Sequence, residues 1–458
     1  MTNGPLIDPA SAAEPPPTAF HAVRLSERDV SHLPVIWAGD VVVVGGGSAG
    51  SAAAVAAARH GASTLVIENG GFFGGTAAAV LDTMYGFFAP GTDQRVVGGI
   101  GWELASALLD VGSAILRGNT YGAGLGVTYE PEALKAEWDR LLVESGAQPL
   151  LHTRFTASVL DGTRMTAVVV LTRRGPFLVR AARFVDASGD ADVAWAAGCT
   201  LEQPSASARV QPLTTTFRVG GVEQPASTAE LHRLLQDAAA SGAYRLPRRE
   251  GSSHHTVLPG VFHTNLTRVA GIDPTNPWAT TAAEIEGRSQ TVEYIRFLRD
   301  RMPGYENSYL LSTSVWIGTR ETRRLIGRYV LDRDDVVSAR RFDDEIALCA
   351  APIEDHDGGT ATIWRYVATA EGEPPSGKTY GVPYRCLVPV EVDSLLVAGR
   401  SLSATHDAHA SARSIAQCLS YGQAAGTAAA LSVSAGVSPS EVNADDLRQA
   451  LVADAVML

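Results

Sequence analysis

The chain has 458 residues, of which 45% are hydrophobic and 19% charged, so it has enough apolar material for two or three domains with large cores. Its formal net charge of −12 argues against nucleic acid or an anionic membrane surface as a main partner. The four cysteines form no CxxC pair, which argues against a zinc cluster or a dithiol redox centre.

The sequence shows no targeting or membrane signal. The N-terminus lacks a basic stretch followed by an apolar run, and no apolar run reaches the roughly 18 residues that a membrane span needs. Residues 1–20 are rich in proline, alanine and serine, and we take residues 1–34 as a disordered or loosely packed lead. We therefore expect a cytoplasmic protein with four reduced thiols.

A βαβ unit follows this lead. Residues 41–44 are four consecutive valines, which is typical of a strand buried on both faces of a parallel sheet. After a glycine-rich turn, an alanine-rich helix is predicted from Ser48 to His60, and a second strand from Thr64 to Ile67. Together these elements predict a dinucleotide-binding unit.

The turn has the pattern GxGxxG at Gly45, Gly47 and Gly50. The first glycine permits the tight turn, the second lets a pyrophosphate approach the backbone, and the third lets helix and strand pack closely. Ser48 and Ala49 begin the helix, whose unpaired N–H groups and dipole favour an anion. These five residues are therefore predicted to hold a dinucleotide.

Two further features strengthen this prediction. Glu68 ends the second strand, where a carboxylate would accept hydrogen bonds from the ribose hydroxyls of FAD or NAD. A second glycine-rich run follows and includes Gly74, Gly75 and Thr76. Its consecutive N–H groups could form an anion-binding concavity, or the run could be a flexible surface loop; its position beside the turn favours binding.

Farther along, residues 131–145 predict a helix, and residues 148–186 alternate as strands with hairpin turns at Asp161–Gly162 and Arg174–Gly175. Residues 200–380 contain no second glycine-rich nucleotide turn and predict an inserted substrate domain. The α/β pattern then returns, with a strand from Ser394 to Ala398 and a long helix from about Ser411 to Leu431.

Several motifs between residues 38 and 432 resemble the family of FAD-dependent oxidoreductases, specifically its xanthan-lyase-like group within the glutathione-reductase-type flavoproteins. They are the stretches at residues 185–190, 317–324, 382–386, 395–400, 403–406 and 422–426. The resemblance implies FAD as the cofactor. It also implies an α/β fold with a Rossmann-like FAD-binding domain built from both chain ends (residues 35–200 and 381–458) and an inserted α+β substrate domain (residues 201–380).

The resemblance also implies further cofactor contacts. Ala187 and Gly189 would pass close to the FAD, and Phe155 would lie near the adenine through its backbone. Related flavoproteins end the late strand in Gly-Asp, whereas this chain has Gly399 and Arg400, so a carboxylate contact to the ribityl chain is in doubt.

The late helix could also act on the flavin. If it begins near Ser411, its N-terminal dipole would stabilise negative charge at the pyrimidine edge of a reduced flavin. The same small residues also suit ordinary helix packing, and the two interpretations are compatible.

For catalysis, the sequence suggests His406 and His409, which lie between the late strand and its helix. A neutral imidazole there could take the proton of an alcohol or amine as its hydride leaves, or it could simply bridge within a loop. Arg320, with Arg323 and Arg324, could clamp an anionic substrate or form a salt-bridged surface.

His254, His255 and His263 show no third ligand at regular spacing, so no metal is predicted. One of them could instead face the substrate.

With a single nucleotide turn, we expect a dehydrogenase or oxidase that takes hydride from a small organic substrate to flavin N5. An NAD(P)H-using flavin reductase or monooxygenase is the second hypothesis, and a non-enzymatic FAD scaffold is the third. The sequence leaves the electron acceptor and the oligomeric state open.

Overall fold

A computed structural model of the chain describes residues 24–119, 124–203, 210–224, 227–356, 362–370 and 372–458. These residues form eleven α-helices, which are α1 Ser48–Arg59, α2 Thr76–Ala79, α3 Gly99–Asp110, α4 Pro131–Ser145, α5 Asp192–Ala197, α6 Thr228–Ala240, α7 Pro277–Arg301, α8 Arg333–Val337, α9 His406–Ala412, α10 Ile415–Ala435 and α11 Ala444–Ala453.

The same residues form twenty-one β-strands. They are β1 Arg24–Leu25, β2 Val35–Val44, β3 Thr64–Ile67, β4 Thr83–Met84, β5 Ala114–Gly118, β6 Leu125–Tyr129, β7 Gln148–Leu150, β8 Arg154–Asp161, β9 Arg164–Thr172, β10 Gly175–Asp186, β11 Leu201–Glu202, β12 Phe217–Gly220, β13 Ser252–His255, β14 Phe262–Asn265, β15 Tyr309–Thr313, β16 Arg324–Leu325, β17 Glu345–Cys349, β18 Ile353–Asp355, β19 Ile363–Arg365, β20 Tyr380–Pro383 and β21 Leu395–Val397.

The main sheet has eight strands in the order β1-β8-β9-β10-β2-β3-β7, with β21 also paired to β10. Strands β10, β2, β3 and β7 run parallel, and β9 pairs antiparallel with β10 on one side and with β8 on the other. The valines at 41–44 are at most 4% exposed, because helices or other strands cover both faces of a sheet of this kind. The predicted βαβ unit and the two hairpins are confirmed.

The long strand β10 joins the two chain ends. Its first half pairs with β9, and residues 184–186 pair in parallel with Leu395–Val397 of β21. Helix α10 then lies across α1, and Gly422 and Gly426 face the backbone of Ala49 and Ala53. Residues far apart in sequence therefore build one α/β layer, as predicted.

The structure corrects the predicted late helix. Instead of one helix from Ser411 to Leu431, the chain forms α9 and α10, separated at Arg413 and Ser414. Ser414 is in an extended conformation before α10, which stops the helical hydrogen-bond pattern there.

The middle of the chain forms a second layer. Strands β13-β14-β12-β15 make a four-stranded sheet, and helices α6 and α7 pack with it around a separate core that includes Phe217, Leu235 and Phe297. Residues 331–353 behave differently, because their apolar side chains join the same core as β2 and α10.

The prediction that residues 1–34 are disordered or loosely packed needs a correction for its second half. Residues 1–23, with the three consecutive prolines at 15–17, lie outside the described residues. Arg24–Leu25 pairs in parallel with β8, and Val30 is 1% exposed in a small core with Val159 and Leu178. Residues 24–34 are therefore packed, because their apolar side chains cover one end of the sheet.

The four cysteines are buried and free, as predicted. Among the described residues, every helix falls short of the length and apolar character needed to cross a bilayer.

Candidate functional site

A cavity of about 920 Å³ lies between the two layers, toward the upper end of the range usual for ligand sites. The glycine-rich turn and the return segment line one part of it, and residues of the middle layer line the other. Phe72 and Trp316 both line it and stack with ring centroids 5.8 Å apart, so they connect the two parts.

The glycine-rich turn forms the floor of the first part. Gly45 has φ +98°, a conformation that side chains rarely adopt. A Cβ at Gly50 would overlap the carbonyl oxygen of Gly45, so this glycine packs the helix on the strand and does not line the cavity. At Gly47 an added Cβ would meet its nearest neighbouring atom only at 3.9 Å, so the space above Gly47 is open to a ligand.

The turn offers an anion-binding surface. Ser48 and Ala49 line the cavity at the start of α1, where unpaired N–H groups favour a phosphate. Glu68 also lines the cavity, and its two carboxylate oxygens accept hydrogen bonds from the N–H of Gly46 (2.8 Å) and of Gly70 (2.6 Å). Glu68 thus fixes the turn and the following glycine-rich loop, which sequence reasoning did not predict.

Most of the other predicted cofactor residues meet at this cavity. Those that line it are Gly75, Thr76, Phe155, Ala187, Gly189, Gly399 and Arg400. Gly74 does not line it, because its N–H is bonded to the carbonyl of Gly46 (2.8 Å) and a Cβ there would meet Trp138 and Ala78. The residues present fit a dinucleotide, since an open glycine and a helix N-terminus share one cavity wall.

Arg400 holds this wall together. Its Nε donates to the carbonyl of Gly189 (2.8 Å), and its Nη2 pairs with Asp190 (2.6 Å). A further bond reaches the carbonyl of Thr319. Asp190 also lines the cavity. A carboxylate is therefore present next to Arg400, although Arg400 itself stands where related flavoproteins have an aspartate.

Ser411 is not at the cavity, contrary to our expectation. It is fully buried inside α9, and its hydroxyl bonds to Tyr380 (2.8 Å) and to the carbonyl of Ala351. The helix N-terminus that reaches the cavity belongs to α10, through Ser414 and Ile415. The expected dipole effect is therefore assigned to α10, because the helical conformation is interrupted between α9 and α10.

His406 and His409 do not line the cavity either. His409 is 0% exposed, its Nε2–H donates to the carbonyl of Arg400 (2.8 Å), and burial holds its pKa well below the usual value. His406 lies between Glu321 (3.0 Å) and Asp355 (3.4 Å). Both belong to α9 rather than to a loop over the cavity, so their predicted catalytic role has no geometric support.

The predicted arginine cluster is divided. Arg320 lines the cavity, whereas Arg323 pairs with Asp192 (2.9 Å) beside Trp195. Arg324 is buried in an ion pair with Glu321. The salt-bridged interpretation therefore describes Arg323 and Arg324, and of the three arginines Arg320 alone lines the cavity.

In the middle layer, His254 and His263 are cross-strand neighbours on β13 and β14. Both line the cavity with Asp82, and all three side chains are at most 7% exposed. His254 Nε2 lies 3.0 Å from the Asp82 carboxylate and His263 Nδ1 lies 3.4 Å from it. Sequence reasoning singled out the histidines but missed Asp82, which comes from a segment about 170 positions earlier.

The charges in this cluster follow from its surroundings. Burial lowers the pKa of His263 to about 4, so its imidazole is neutral at pH 7. Burial opposes ionisation of Asp82, but the neighbouring imidazoles of His263 and His254 outweigh it and hold the pKa of Asp82 below its usual range. The cluster therefore contains an ionised Asp82 carboxylate and the neutral imidazole of His263.

Besides Arg320 and Arg400, the cavity is lined by Arg154, Arg248 and Arg413. Arg248 comes from the loop before β13, and Arg413 lies between α9 and α10. Neither has an obvious sequence signal, because each is a single arginine far from the predicted cluster.

The open glycine gives a test of the cofactor site. Gly47→Ala should leave folding intact, because its φ of −69° suits alanine and the added Cβ meets nothing closer than 3.9 Å. The methyl group would occupy the space for the pyrophosphate, so FAD affinity should fall on the order of 10-fold or more. Flavin titration of the apoprotein measures this, with Gly118→Ala as the control, since its Cβ has no neighbour within 4 Å. Unchanged affinity would place the diphosphate elsewhere.

The comparisons with known proteins agree with this geometry. The family model described as FAD dependent oxidoreductase matches residues 40–451. A search of curated proteins finds no match.

Two solved structures with a similar course of the chain are distant in sequence. A geranylgeranyl bacteriochlorophyll reductase-like protein from Thermoplasma acidophilum is 12% identical, with a TM-score of 0.46, and the match covers 92% of this chain and 84% of that one. A p-nitrophenol 4-monooxygenase from Pseudomonas putida is 10% identical, with a TM-score of 0.48 and coverage of 92% and 85%.

Proposed function

Because the chain belongs to the FAD-dependent oxidoreductase family, as the match over residues 40–451 shows, we propose that it takes hydride from a small organic molecule. The oxidised unit is CH–OH, CH–NH or CH–CH, and the hydride is delivered to flavin N5. FAD is the cofactor, and the fold is a Rossmann-like α/β fold. When bound, FAD supplies the two-electron acceptor; the protein positions the substrate and handles its proton.

One observation carries the proposal: the buried Asp82–His254–His263 cluster lines the same cavity as the glycine-rich turn. A carboxylate can only accept a hydrogen bond, so His254 Nε2 carries the hydrogen that faces Asp82 at 3.0 Å. The other ring nitrogen, Nδ1, is buried without a partner among the described residues. Its lone pair is the site that we propose for the substrate proton.

Asp82 would act on His254 in two ways. It fixes the tautomer and the ring orientation, and it stabilises the imidazolium that forms when His254 takes the proton. Thr83 supports this arrangement by donating to the same carboxylate oxygen at 3.1 Å. His263 stays neutral because burial lowers its pKa to about 4, so it adds no positive charge that would oppose protonation of its neighbour.

We propose this cluster in place of His406 and His409. Within the family we also propose that the chain belongs to the xanthan-lyase-like group, and this proposal rests on the sequence motifs.

For the domains, we propose a flavin-binding part from residues 35–200 and 381–458 and a substrate part that begins at residue 201. Residues 331–353 share the core of the flavin-binding part, which supports a boundary before Leu331.

Anaerobic titration of the purified yellow protein tests the function. We expect its visible absorbance to bleach with an alcohol, amine or other organic donor from a substrate panel, and not with NADH or NADPH alone. Bleaching by a nicotinamide would instead support the reductase or monooxygenase hypothesis. A flavin that neither kind of donor reduces would favour the scaffold. Hydrogen peroxide formed on re-oxygenation would distinguish an oxidase from a dehydrogenase.

A further inference from the structure

Five arginines line the cavity: Arg154 is exposed, Arg400 pairs with Asp190, and Arg248, Arg320 and Arg413 are less exposed and form no ion pair among the described residues. Arg248, Arg320 and Arg413 have no carboxylate oxygen within 4.0 Å among the ion pairs of the described residues. Arg248 is 4% exposed, and the pKa of each of the other two is lowered by burial first. A guanidinium withdrawn from water without a close ion-pair partner is costly. The charge of Glu354 favours the ionised form of Arg320 and Arg413, but Glu354 forms a close ion pair with neither of them among the described residues.

Their hydrogen bonds reach only neutral acceptors. Arg320 Nη1 donates to the carbonyl of Pro212 (2.6 Å), and Arg248 Nη1 donates to the side-chain oxygen of Asn265 (2.9 Å). Arg413 Nη2 donates to the carbonyl of Glu354 (3.3 Å). The Nε atoms of Arg248 and Arg413 have no partner among the described residues. Among the described residues these two N–H donors therefore have no acceptor, so a bound group can accept from them.

The arginines act on one another. Burial is the largest cause that lowers the pKa of Arg320, and the charges of Arg248 and Arg413 come next. The pKa falls to about 9. This value still leaves Arg320 charged at pH 7. Mutual repulsion in a buried site would be relieved by an anion placed among the three side chains.

The acidic side chains in this part of the cavity are already engaged. Asp82 is held by the two imidazoles, and the Glu354 carboxylate lies 3.0 Å from His356 Nε2. Burial opposes ionisation of Glu354, but His356 and the arginines lower its pKa to about 2, so it is charged.

From this geometry we infer that Arg320, with Arg248 beside it, binds a carboxylate group of the organic substrate. The inference rests on the proposed function and names its substrate class, which is a small organic acid. A carboxylate carries one negative charge, and its two oxygens in one plane suit the planar donor face of a guanidinium.

The position of the arginines also fits the proposed chemistry. They share the cavity with His254 and with Ser414, at the start of α10. A substrate held by its carboxylate would have the rest of its carbon skeleton confined between the proton acceptor and the flavin-binding part. Such confinement is how an enzyme fixes a C–H bond for transfer.

The test uses the oxidised holoenzyme and measures binding, not turnover. Benzoate and its uncharged analogue benzamide are titrated against the visible absorbance of the flavin. We expect benzoate to bind more tightly than benzamide. Arg320→Gln should weaken benzoate binding on the order of 10- to 100-fold, while benzamide binding should stay within a few-fold of wild type. Arg320→Lys, which keeps the charge without the planar fork, should lie between.

Arg233→Gln is the matched control, because Arg233 is an exposed side chain on α6 paired only with Asp237. Equal binding of benzoate and benzamide, or an unchanged benzoate affinity in Arg320→Gln, overturns the inference. Tighter binding of inorganic phosphate than of benzoate overturns it too, as does loss of FAD from a folded Arg320→Gln, which would assign the arginine to the cofactor. Binding needs no turnover, so a protein that binds benzoate but is bleached by no donor loses the proposed function alone.

Discussion

Asp82→Asn is expected to slow anaerobic bleaching of the flavin by an organic donor about 10²- to 10⁴-fold, the range usual for loss of general acid–base catalysis. The asparagine fills the same space but carries no charge to stabilise protonated His254 at 3.0 Å. Its amide can also donate to the ring nitrogen and so favour the wrong tautomer. Stopped-flow absorbance under saturating donor measures the rate.

His254→Gln should give a loss of similar size, because it removes the proposed acceptor itself. The matched control is His255→Gln. His255 is the next residue on β13, but it is exposed and does not line the cavity, so its replacement should leave the rate unchanged. The flavin content of each variant must match wild type, since the cluster lies in the substrate part of the cavity.

A normal bleaching rate in Asp82→Asn and in His254→Gln would contradict the proton-transfer assignment. A slow rate in His255→Gln as well would point to a structural effect of the strand rather than to the chemistry.

Gly426→Ala is expected to have the largest effect on folding. Helix α10 crosses α1 so closely that a Cβ at residue 426 would overlap the backbone carbonyl of Ala53, and a Cβ at Gly422 would do the same to that of Ala49. A backbone carbonyl inside a helix has little freedom to move away. Separating the helices would open the core between the two chain ends, so we expect the free energy of unfolding to fall by about 3 kcal/mol.

Urea denaturation followed by circular dichroism measures this loss. Ser434→Ala is the control on the same helix, because Ser434 is exposed, and its replacement should change stability by less than about 0.5 kcal/mol. A Gly426→Ala protein as stable as wild type would mean that the two helices lie farther apart than the structure shows.

The sequence determined the elements whose signals are local. Four buried valines, a glycine turn and an alanine-rich helix are consecutive, so β2, α1 and β3 follow from periodicity and turn chemistry alone. Helix α4 was also predicted correctly, since Pro131 begins it and Gly146, with φ +86°, ends it. The cavity-lining residues of the turn follow from the same motif, whereas those of later segments, such as Ala187 and Gly399, were expected from the family resemblance.

The break between α9 and α10 was missed although a weak signal exists. Ser414 and Gln417 have the spacing of a capping box. In the structure Gln417 instead donates to the carbonyl of Gly86 (2.7 Å), so the pattern is present but the local interaction is not. A tertiary contact, rather than a cap, fixes the start of α10. Because the sequence prediction missed this break, it placed Ser411 and the two histidines of α9 incorrectly.

Only the tertiary structure decided which side chains meet at the substrate part of the cavity. Asp82 lies before β4, His254 on β13, and Arg413 between two late helices, and no local pattern encodes their distance. Sheet pairing brings His254 beside His263, and the packing of the two layers brings both to Asp82. Hydrophobic periodicity specifies an element and its buried face, whereas proximity between distant polar residues depends on how all the faces pack at once.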